Sequence, residues 1–420
     1  MESFHNLQCN NGVKMSNILK RLSYLDFPEC TREALHYLSR CLRKETGGIP
    51  GLGGGGEDYT VEVSRDFIHF ACNPKRLTAI QELQLLEILC SYITDQKENE
   101  RNSIFAIMFA GEAALLKVNL LTKLVSMAMS IKCTAVLDCT ALWMQERGCD
   151  SEPVCCMAKS MVNDYCQLFP GVIPTFQALP SISPLFACNF IAAVTALFPC
   201  NTLDGMPPEK LVEHVTNWIS SDSRLCSVSM RPASSGSSYR MFASHGCSPF
   251  PGLTNWCVKG PVLCLKATDN NKNSWGDIGA NTCNNNNRLQ QQQQLFSRLH
   301  LGVLQSLLAN NAAATGTGRT AVSGLLGPNV PNATGHPFTP ADIKKTSQEL
   351  MDICKRYGLS PEEETCLCSI ERLGQIIQVA LASATLRVRP AQLCEILQLL
   401  PANRLLRLIK TLHQGNGSAV

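Results

Sequence analysis

The residues of this chain best suited to chemistry are its 22 cysteines and eight histidines. A closed zinc site needs four well-spaced ligands, and the sequence contains no Cys-x-x-Cys pair. The nearest clusters, each a candidate metal or redox site, are Cys155-Cys156, Cys366-x-Cys368 and His245-x-Cys247. Chance proximity in a cysteine-rich chain is the favoured alternative, because no cluster supplies four ligands. We therefore predict no metal site and no cofactor.

A catalytic cysteine would need a histidine as general base and an oxyanion donor, and no particular pair is indicated. The glycine run at residues 51–56 lacks the Lys-Ser/Thr ending of a phosphate-binding loop, so it favours a linker. No Gly-x-Ser-x-Gly elbow, His-Glu-x-x-His helix or kinase signature occurs. We predict no catalytic residue. A cysteine-dependent hydrolytic enzyme stays open as an alternative, and it requires one thiol of depressed pKa beside a histidine.

Basic residues recur at every third position near the C-terminal end, at Arg404, Arg407, Lys410 and His413. As a stripe, the first three are candidates for binding an acidic partner, and a nucleic-acid-binding helical protein is a further alternative. A solvated face whose cations complement the negative helix end is the opposing interpretation. Direct nucleic-acid binding is disfavoured, because so few cations form a small electrostatic footprint.

Three tryptophans, Trp143, Trp218 and Trp256, lie in predicted apolar helices. Aromatic side chains dominate the binding energy of many protein interfaces, so these residues are candidate anchors for a partner. Large apolar side chains in a helical array also pack against neighbouring helices, which makes core packing the alternative. We include Trp256 with the basic residues as a candidate partner-binding residue.

The composition favours an ordered, helical chain of 420 residues. Hydrophobic residues make up 45% and charged residues 17%, and the latter value argues against a disordered or coiled-coil chain. A net charge of +3 implies no bulk attraction to nucleic acid or anionic membrane. Many cysteines fall inside apolar runs and the N-terminus lacks signal-peptide features, so we expect a reducing compartment.

An uncharged stretch at residues 165–203 superficially suggests a membrane span. Prolines divide it, and its longest proline-free piece, residues 185–198, is shorter than the roughly 20 residues that a span needs. We therefore predict a buried helix and no membrane association.

Apolar residues at intervals of three and four predict helices along most of the chain. Cap signatures predict three of the helix starts: Asn73-Pro74, Thr339-Pro340 with Asp342, and Ser360-Pro361 with Glu362 and Glu363. Gly358 predicts the end of the helix that begins at Pro340. We expect an all-α fold, an irregular HEAT/armadillo-like helical solenoid with disordered low-complexity loops, and a compact all-α fold is the alternative.

The predicted domain boundaries follow changes in amino-acid composition along the chain. The predicted organisation comprises N-terminal helices (1–46), a Gly-rich linker with a short extended segment (47–72), a central helical array (73–265), an Asn/Gln-rich disordered insertion (266–294), a helix (295–309), a disordered loop (310–338) and a C-terminal helical bundle (339–414). Asn and Gln tracts favour disorder because they bury little apolar surface, although the glutamines suit an extension of the following helix.

Several long segments, in order along the chain, resemble the Integrator complex subunit 15 family. They are residues 73–77 (Asn-Pro-Lys-Arg-Leu), 81–88 (Gln-Glu-Leu-Gln-Leu-Leu-Glu-Ile), 123–128 (Lys-Leu-Val-Ser-Met-Ala), 162–166 (Val-Asn-Asp-Tyr-Cys) leading to 170–171 (Pro-Gly), 190–197 (Phe-Ile-Ala-Ala-Val-Thr-Ala-Leu), 256–259 (Trp-Cys-Val-Lys), 299–305 (Leu-His-Leu-Gly-Val-Leu-Gln), 372–373 (Arg-Leu) and 378–380 (Gln-Val-Ala). The Asn/Gln tract and residues 310–338 depart from the family pattern.

The resemblance implies a non-catalytic, nuclear scaffold subunit of the Integrator complex. Integrator acts with RNA polymerase II in transcription attenuation and in processing small nuclear RNA 3′ ends. The resemblance implies that the chain links a module of Integrator subunits ten, thirteen and fourteen to the core of the complex. Its partners would be those subunits and the core, with an indirect association with RNA polymerase II.

Overall fold

The structure is a computed structural model. It describes residues 17–46, 67–68, 71–72, 77–109, 114–168, 173–230, 248–273, 281–315, 338–360 and 362–415. The chain divides into two compact units, Met1–Trp143 and Met144–Val420. Every regular element in the described ranges is a helix, and the β pairing seen there is one isolated bridge between Phe338 and Leu386. The prediction of an all-α helical fold is confirmed, and its assignment to the HEAT/armadillo type stays a prediction.

Among the described residues of the first unit, residues 17–23 are helical, and five longer helices follow, the last of which continues into the second unit. They are α1 (Glu29–Thr46), α2 (Ala79–Asp95), α3 (Glu98–Met108), α4 (Ala114–Ser130) and α5 (Thr134–Arg147). Helix α2 packs against α1, α3 and α4, which places it at the centre of this unit. Its second half is buried as predicted, through Leu85, Leu86, Leu89, Cys90 and Ile93.

The start of α2 differs from the prediction. Asn73 and Pro74 lie outside the described residues, and the helix begins at Ala79 with Thr78 as its cap. The Thr78 side chain accepts the backbone N–H of Gln81 at 3.3 Å, and Gln81 Oε1 accepts the backbone N–H of Thr78 at 3.0 Å. This reciprocal capping box satisfies two otherwise orphaned donors, so it fixes the start after the proline.

The predicted linker over residues 47–72 is wrong at its C-terminal end. Residues 67–68 and 71–72 are helical, and their side chains, including Phe67 and Ile68, are buried. Burial of these apolar side chains favours an ordered helix over a free linker. The glycine run and the predicted extended segment near Tyr59 lie outside the described residues.

The second unit holds the remaining elements. They are α6 (Glu152–Val162), which continues as a π-helix (Asn163–Leu168), α7 (Ile173–Gln177), α8 (Leu179–Ile182), α9 (Pro184–Leu197), α10 (Glu209–Ser221), a 3₁₀ helix (Leu225–Met230), α11 (Phe250–Asn273), α12 (Asn281–Thr315), α13 (Pro340–Arg356), α14 (Glu364–Ala382), α15 (Pro390–Gln398) and α16 (Arg404–Gly415). Among the described residues, no helix combines the length and apolar character that a membrane span requires.

Helix α11 is the central element of the second unit. It packs against α9, α12, α13 and α14. Two glycines allow this crowding: a Cβ on Gly252 would lie 2.0 Å from Thr195 Oγ1, and one on Gly260 would lie 2.5 Å from Phe296 Cε1. The absence of a side chain at both positions lets α9 and α12 approach the α11 backbone.

The prediction of disorder over residues 266–294 is wrong for its described parts. Helix α11 continues to Asn273, and α12 already begins at Asn281. The side-chain amide of Gln292 donates to Glu209 at 3.2 Å, and that of Gln293 donates to the Pro261 carbonyl at 3.1 Å. Glutamine is a good helix former, and these contacts tie the polar tract to the packed helices. Helix α12 also extends to Thr315, beyond the predicted boundary at residue 309.

The C-terminal helix signals are partly confirmed. Thr339 and Asp342 form a capping box with Pro340 in the first turn of α13, and Gly358 adopts a φ of +62° just after that helix ends at Arg356. The start predicted at Pro361 is wrong, because α14 begins at Glu364. There Ser360 donates its backbone N–H to the Glu363 carboxylate at 2.9 Å, which forms a turn ahead of the helix.

Candidate functional site

The basic residues of α16 do not form the predicted stripe along one face. Arg404 and Arg407 are exposed, whereas Lys410 and His413 are only half-exposed. Each step of three residues falls about 60° short of a full helical turn, so side chains at this spacing wind around the helix. The series therefore begins on the solvent face and winds toward the buried side, where Ile409 packs.

The exposed face of α16 is mixed in character. Leu408 and Leu412 are exposed one turn apart, beside Arg404 and Arg407. In the part of the chain that the structure describes, neither arginine forms an ion pair. Two cations next to two apolar side chains suit a partner that is both acidic and apolar better than they suit a nucleic-acid backbone, which needs many cations.

Trp256 is a core residue, so its prediction as a partner-binding residue is wrong. Its exposed fraction is 0%, and its indole N–H donates to the Phe198 carbonyl at 2.6 Å. Trp143 and Trp218 are also buried, and they donate to the carbonyls of Phe109 and Gln177 at 3.1 Å. For Trp256 the cause is the central position of α11, where a large side chain meets another helix.

A buried ion pair follows Trp256 on the same side of α11. The Lys259 ammonium donates to Glu349 of α13 at 2.7 Å and to the Asn201 side chain at 2.6 Å. Burial lowers the pKa of Lys259, and the Glu349 carboxylate opposes that shift. Trp256 and Lys259 together hold the segment that follows α9 against α11. Residues 256–259, one of the segments in which the sequence resembles the family, thus have a structural role.

Exposed apolar pairs at helical spacing form candidate binding surfaces that the sequence analysis missed. On α2, Ile80 and Leu83 are 79% and 57% exposed. On α12, Leu301 and Leu308 are exposed two turns apart, with Leu304 half-buried between them. Core residues of a helix recur at the same intervals of three and seven residues. The sequence pattern alone therefore did not distinguish an exposed face from a buried one.

The predicted cysteine clusters do not converge on a site. Cys155 is half-buried and Cys156 exposed, and Cys366 is buried while Cys368 is exposed, so each pair diverges around its helix. His245 and Cys247 lie outside the described residues. No group of three or more potential metal ligands occurs within the described ranges.

Cys133 occupies a special backbone position between α4 and α5. Lys132 before it has a φ of +57°, and the Cys133 backbone N–H donates to the Ala128 carbonyl at 2.8 Å, which ends α4. Helix α5 begins at the next residue, and the backbone N–H groups of Ala135 and Val136 donate to the Cys133 thiol. The half-exposed Cys133 thiol thus lies at the positive end of a helix dipole.

A second thiol completes this arrangement. Cys90 of α2 is buried, and Thr94 Oγ1 both donates to the Cys90 carbonyl at 2.8 Å and lies 3.2 Å from Cys133 Sγ, which places the Cys133 thiol beside this turn of α2. The Cys90 hydrogen bond, followed by those from Thr94 and the backbone, holds the pKa of Cys133 far below the usual value, while the pKa of Cys90 is raised. We call Cys90, Thr94 and Cys133 the thiol centre. The hydrogen-bonding groups around Cys133 do not include the histidine that the enzyme alternative requires.

The second unit contains another pair of neighbouring thiols. Cys354 of α13 and Cys366 of α14 are buried, with their sulfur atoms 2.8 Å apart. Burial raises the pKa of both thiols, to about 12 for Cys354. Burial therefore outweighs the hydrogen bond that Cys366 receives from Cys354, and this pair lacks the solvent exposure and the hydroxyl donor found at Cys133.

Comparison with known proteins gives a consistent assignment. The family described as Integrator complex subunit 15 matches residues 16–402. A Danio rerio protein named Integrator complex subunit 15 is 30% identical over 94% of this chain and 80% of its own length. The Homo sapiens protein of that name is 33% identical over 84% of this chain and 76% of its own length, and the Drosophila melanogaster one is 23% identical over 93% and 94%. The chain belongs to the Integrator complex subunit 15 family, and is thus an Integrator subunit.

Proposed function

We propose that this Integrator subunit is a non-catalytic scaffold that links the module of subunits ten, thirteen and fourteen to the core of the complex. The observation that carries the proposal is that each unit exposes apolar side chains at helical spacing on a helix whose other face is packed. Ile80 and Leu83 form this surface on α2, and Leu301 and Leu308 form one on α12. Large apolar side chains left in solvent at such spacing are typical of helix faces that bind other proteins.

The exposed part of α16 adds a third surface in the same role. Arg404 and Arg407, with Lys410 at the edge, flank Leu408 and Leu412. An arginine can form bidentate contacts with a carboxylate while the leucines pack against an apolar side chain. We assign these residues to contact with another Integrator subunit, and RNA polymerase II would be engaged indirectly through the assembled complex.

The scaffold would act in the nucleus, in transcription attenuation and in the formation of small nuclear RNA 3′ ends. Its contribution would be to position subunits, because the thiol centre lacks an identified general base and the described residues hold no metal-ligand cluster. Several separate binding surfaces on one helical chain suit that role.

Affinity purification of the tagged full chain from nuclear extract, followed by mass spectrometry, tests the proposal. The wild type should recover subunits ten, thirteen and fourteen together with core subunits. Two double variants, Ile80→Ser with Leu83→Ser and Leu301→Ser with Leu308→Ser, should each reduce recovery of one group at least tenfold while the other group is retained. Ser91→Ala on α2 and Gln290→Ala on α12 serve as exposed polar controls that should change neither.

The proposal fails if the wild type recovers only one of the two groups, or if every variant recovers both at the wild-type level. Circular dichroism spectra and melting curves of the variants must match the wild type, so that loss of binding is separated from loss of folding. Nuclear imaging of the same tagged chain tests the expected location.

A further inference from the structure

We propose that Cys133 and Cys90 are a peroxide-sensitive pair that closes to an intramolecular disulfide between the C-terminal part of α2 and the turn that joins α4 to α5. The inference rests on the geometry of the thiol centre and goes beyond the scaffold function. The two residues are distant in sequence, yet the Thr94 hydroxyl that donates to the Cys90 carbonyl at 2.8 Å also lies 3.2 Å from Cys133 Sγ, which brings the two residues side by side.

The first requirement is an accessible nucleophile, and Cys133 meets it. Its thiol is half-exposed at the first turn of a 14-residue helix, where the N–H groups of Ala135 and Val136 donate to the sulfur. The Thr94 hydroxyl lies within hydrogen-bond distance on the other side. Donors that converge on a sulfur stabilise the thiolate, and the thiolate is the species that attacks peroxides.

The second requirement is a resolving thiol that the oxidant does not reach first. Cys90 is buried one helical turn before Thr94, and its thiol interacts electrostatically with that of Cys133. The other titratable groups that face the pair are Glu87 on the exposed side of α2 and the buried Cys139 on α5. Cys139 donates to the Asn102 side chain at 3.1 Å, which directs its proton away from Cys133.

The chemistry balances with hydrogen peroxide as the oxidant. The Cys133 thiolate attacks one peroxide oxygen, so an S–O bond forms, the O–O bond breaks and the leaving hydroxide takes up the thiol proton as water. The Cys90 sulfur then attacks the sulfenic sulfur of Cys133, an S–S bond forms, and the S–O bond breaks. The leaving hydroxide takes up the Cys90 proton, so two thiols and one peroxide give one disulfide and two waters.

The Cys354–Cys366 pair supplies an internal control. Its sulfur atoms are also in contact, and Cys366 lies in the first turn of α14, but both thiols are buried and neither has a hydroxyl donor like Thr94 at Cys133. If proximity of the sulfur atoms alone controlled disulfide formation, both pairs would be oxidised at equal rates. Activation of the nucleophile predicts that only the Cys90–Cys133 pair responds to a low peroxide concentration.

Peptide mapping of the full chain tests the proposal. The reduced protein is exposed to hydrogen peroxide, remaining thiols are blocked with N-ethylmaleimide, and peptides are analysed without reduction. The Cys90–Cys133 disulfide should appear at least tenfold faster than the Cys354–Cys366 disulfide. Equal rates for the two pairs, or no Cys90–Cys133 disulfide, would overturn the proposal.

The rate of Cys133 alkylation relative to a free thiol such as glutathione gives a second readout on the unmodified chain. A free thiol loses its thiolate about tenfold per pH unit below roughly 8.5, whereas Cys133 should retain it. The Cys133-to-glutathione rate ratio with iodoacetamide should therefore rise about tenfold between pH 8 and pH 7, and a constant ratio would contradict an activated thiolate.

Two substitutions separate the roles of the thiols. In Cys133→Ser, Cys90 should stay reduced under the same peroxide exposure. In Cys90→Ser, Cys133 should stop at the sulfenic acid, and dimedone should capture it in at least fivefold greater yield than in the wild type. Oxidation of Cys90 at the wild-type rate without Cys133, or unchanged dimedone capture, would sink the assignment.

Discussion

The Lys259 ammonium lies 2.7 Å from the Glu349 carboxylate, at a position where 0% of the lysine side chain is exposed. Removing one partner of a buried ion pair leaves the other charge uncompensated. We therefore expect Glu349→Gln to lower the free energy of unfolding by about 3 kcal/mol, whereas Lys259→Met should cost less because Glu349 keeps some contact with solvent.

Urea unfolding followed by circular dichroism measures this difference. Lys210→Met is the matched control, because Lys210 and Glu213 form an exposed ion pair on α10, and its effect should stay below about 0.5 kcal/mol. A Glu349→Gln variant as stable as the control would show that the pair makes no net contribution.

The turn before the thiol centre predicts a stabilising substitution. Lys132 adopts a φ of +57°, which costs a side-chain-bearing residue about 1 kcal/mol relative to glycine. Lys132→Gly should therefore raise the free energy of unfolding by up to about 1 kcal/mol. Ser130→Gly, within the helical end of α4, should lower it instead. Thermal melts of both variants give the signs, and a destabilised Lys132→Gly would contradict the prediction.

Acidification should destabilise the second unit through His300. Burial lowers the pKa of this histidine to about 4, and the nearby Arg372 acts in the same direction. Below pH 6.5 the unfolded chain binds a proton that the folded chain excludes, so stability falls as the pH drops from about 6.5 toward 4. The loss from this residue is on the order of 3 kcal/mol.

Urea titrations at several pH values, on the wild type and on His300→Leu, measure the slope. The variant should show a shallower dependence, and the residual slope would include His214, whose pKa is also lowered by burial. Gln290→Ala, an exposed and non-titratable position on the same helix as His300, is the control, and it should leave the slope unchanged. Identical slopes for the wild type and His300→Leu would refute the assignment.

Substitution of Trp256 distinguishes a core role from a binding role. Trp256→Phe removes the indole hydrogen bond to Phe198 and part of a fully buried side chain. We expect a loss of about 2 kcal/mol in the free energy of unfolding. Recovery of Integrator subunits by the variant should equal that of the wild type at a temperature where it stays folded. Selective loss of one partner from a fully folded variant would restore the binding interpretation.

Local sequence signals located both ends of α13. Thr339, Pro340 and Asp342 formed the predicted helix start, and Gly358 followed the predicted helix end. The helix predicted to follow Asn73-Pro74, which lie outside the described residues, begins at Ala79, where Thr78 and Gln81 form a reciprocal cap. The prediction of disorder failed over residues 281–294 because contacts between the glutamines and other helices override a disorder-prone composition.

The functional surfaces were harder to predict because they depend on tertiary packing. Leu83 and Leu86 differ by one helical turn and have the same residue type, yet only Leu86 is buried. The thiol centre needs α2 and the α4–α5 turn to meet, which no local pattern encodes. In the sequence analysis, Cys133 was not distinguished from the other cysteines of the chain.

The buried tryptophans give each unit its own optical reporter. Trp143 lies in the first unit and Trp218 and Trp256 lie in the second, and all three indoles are shielded from solvent. With Trp275 replaced, the emission of the folded chain should be blue and insensitive to iodide. A further Trp143→Phe replacement would leave fluorescence from the second unit alone, so denaturation by urea would reveal whether the two units melt together or in sequence.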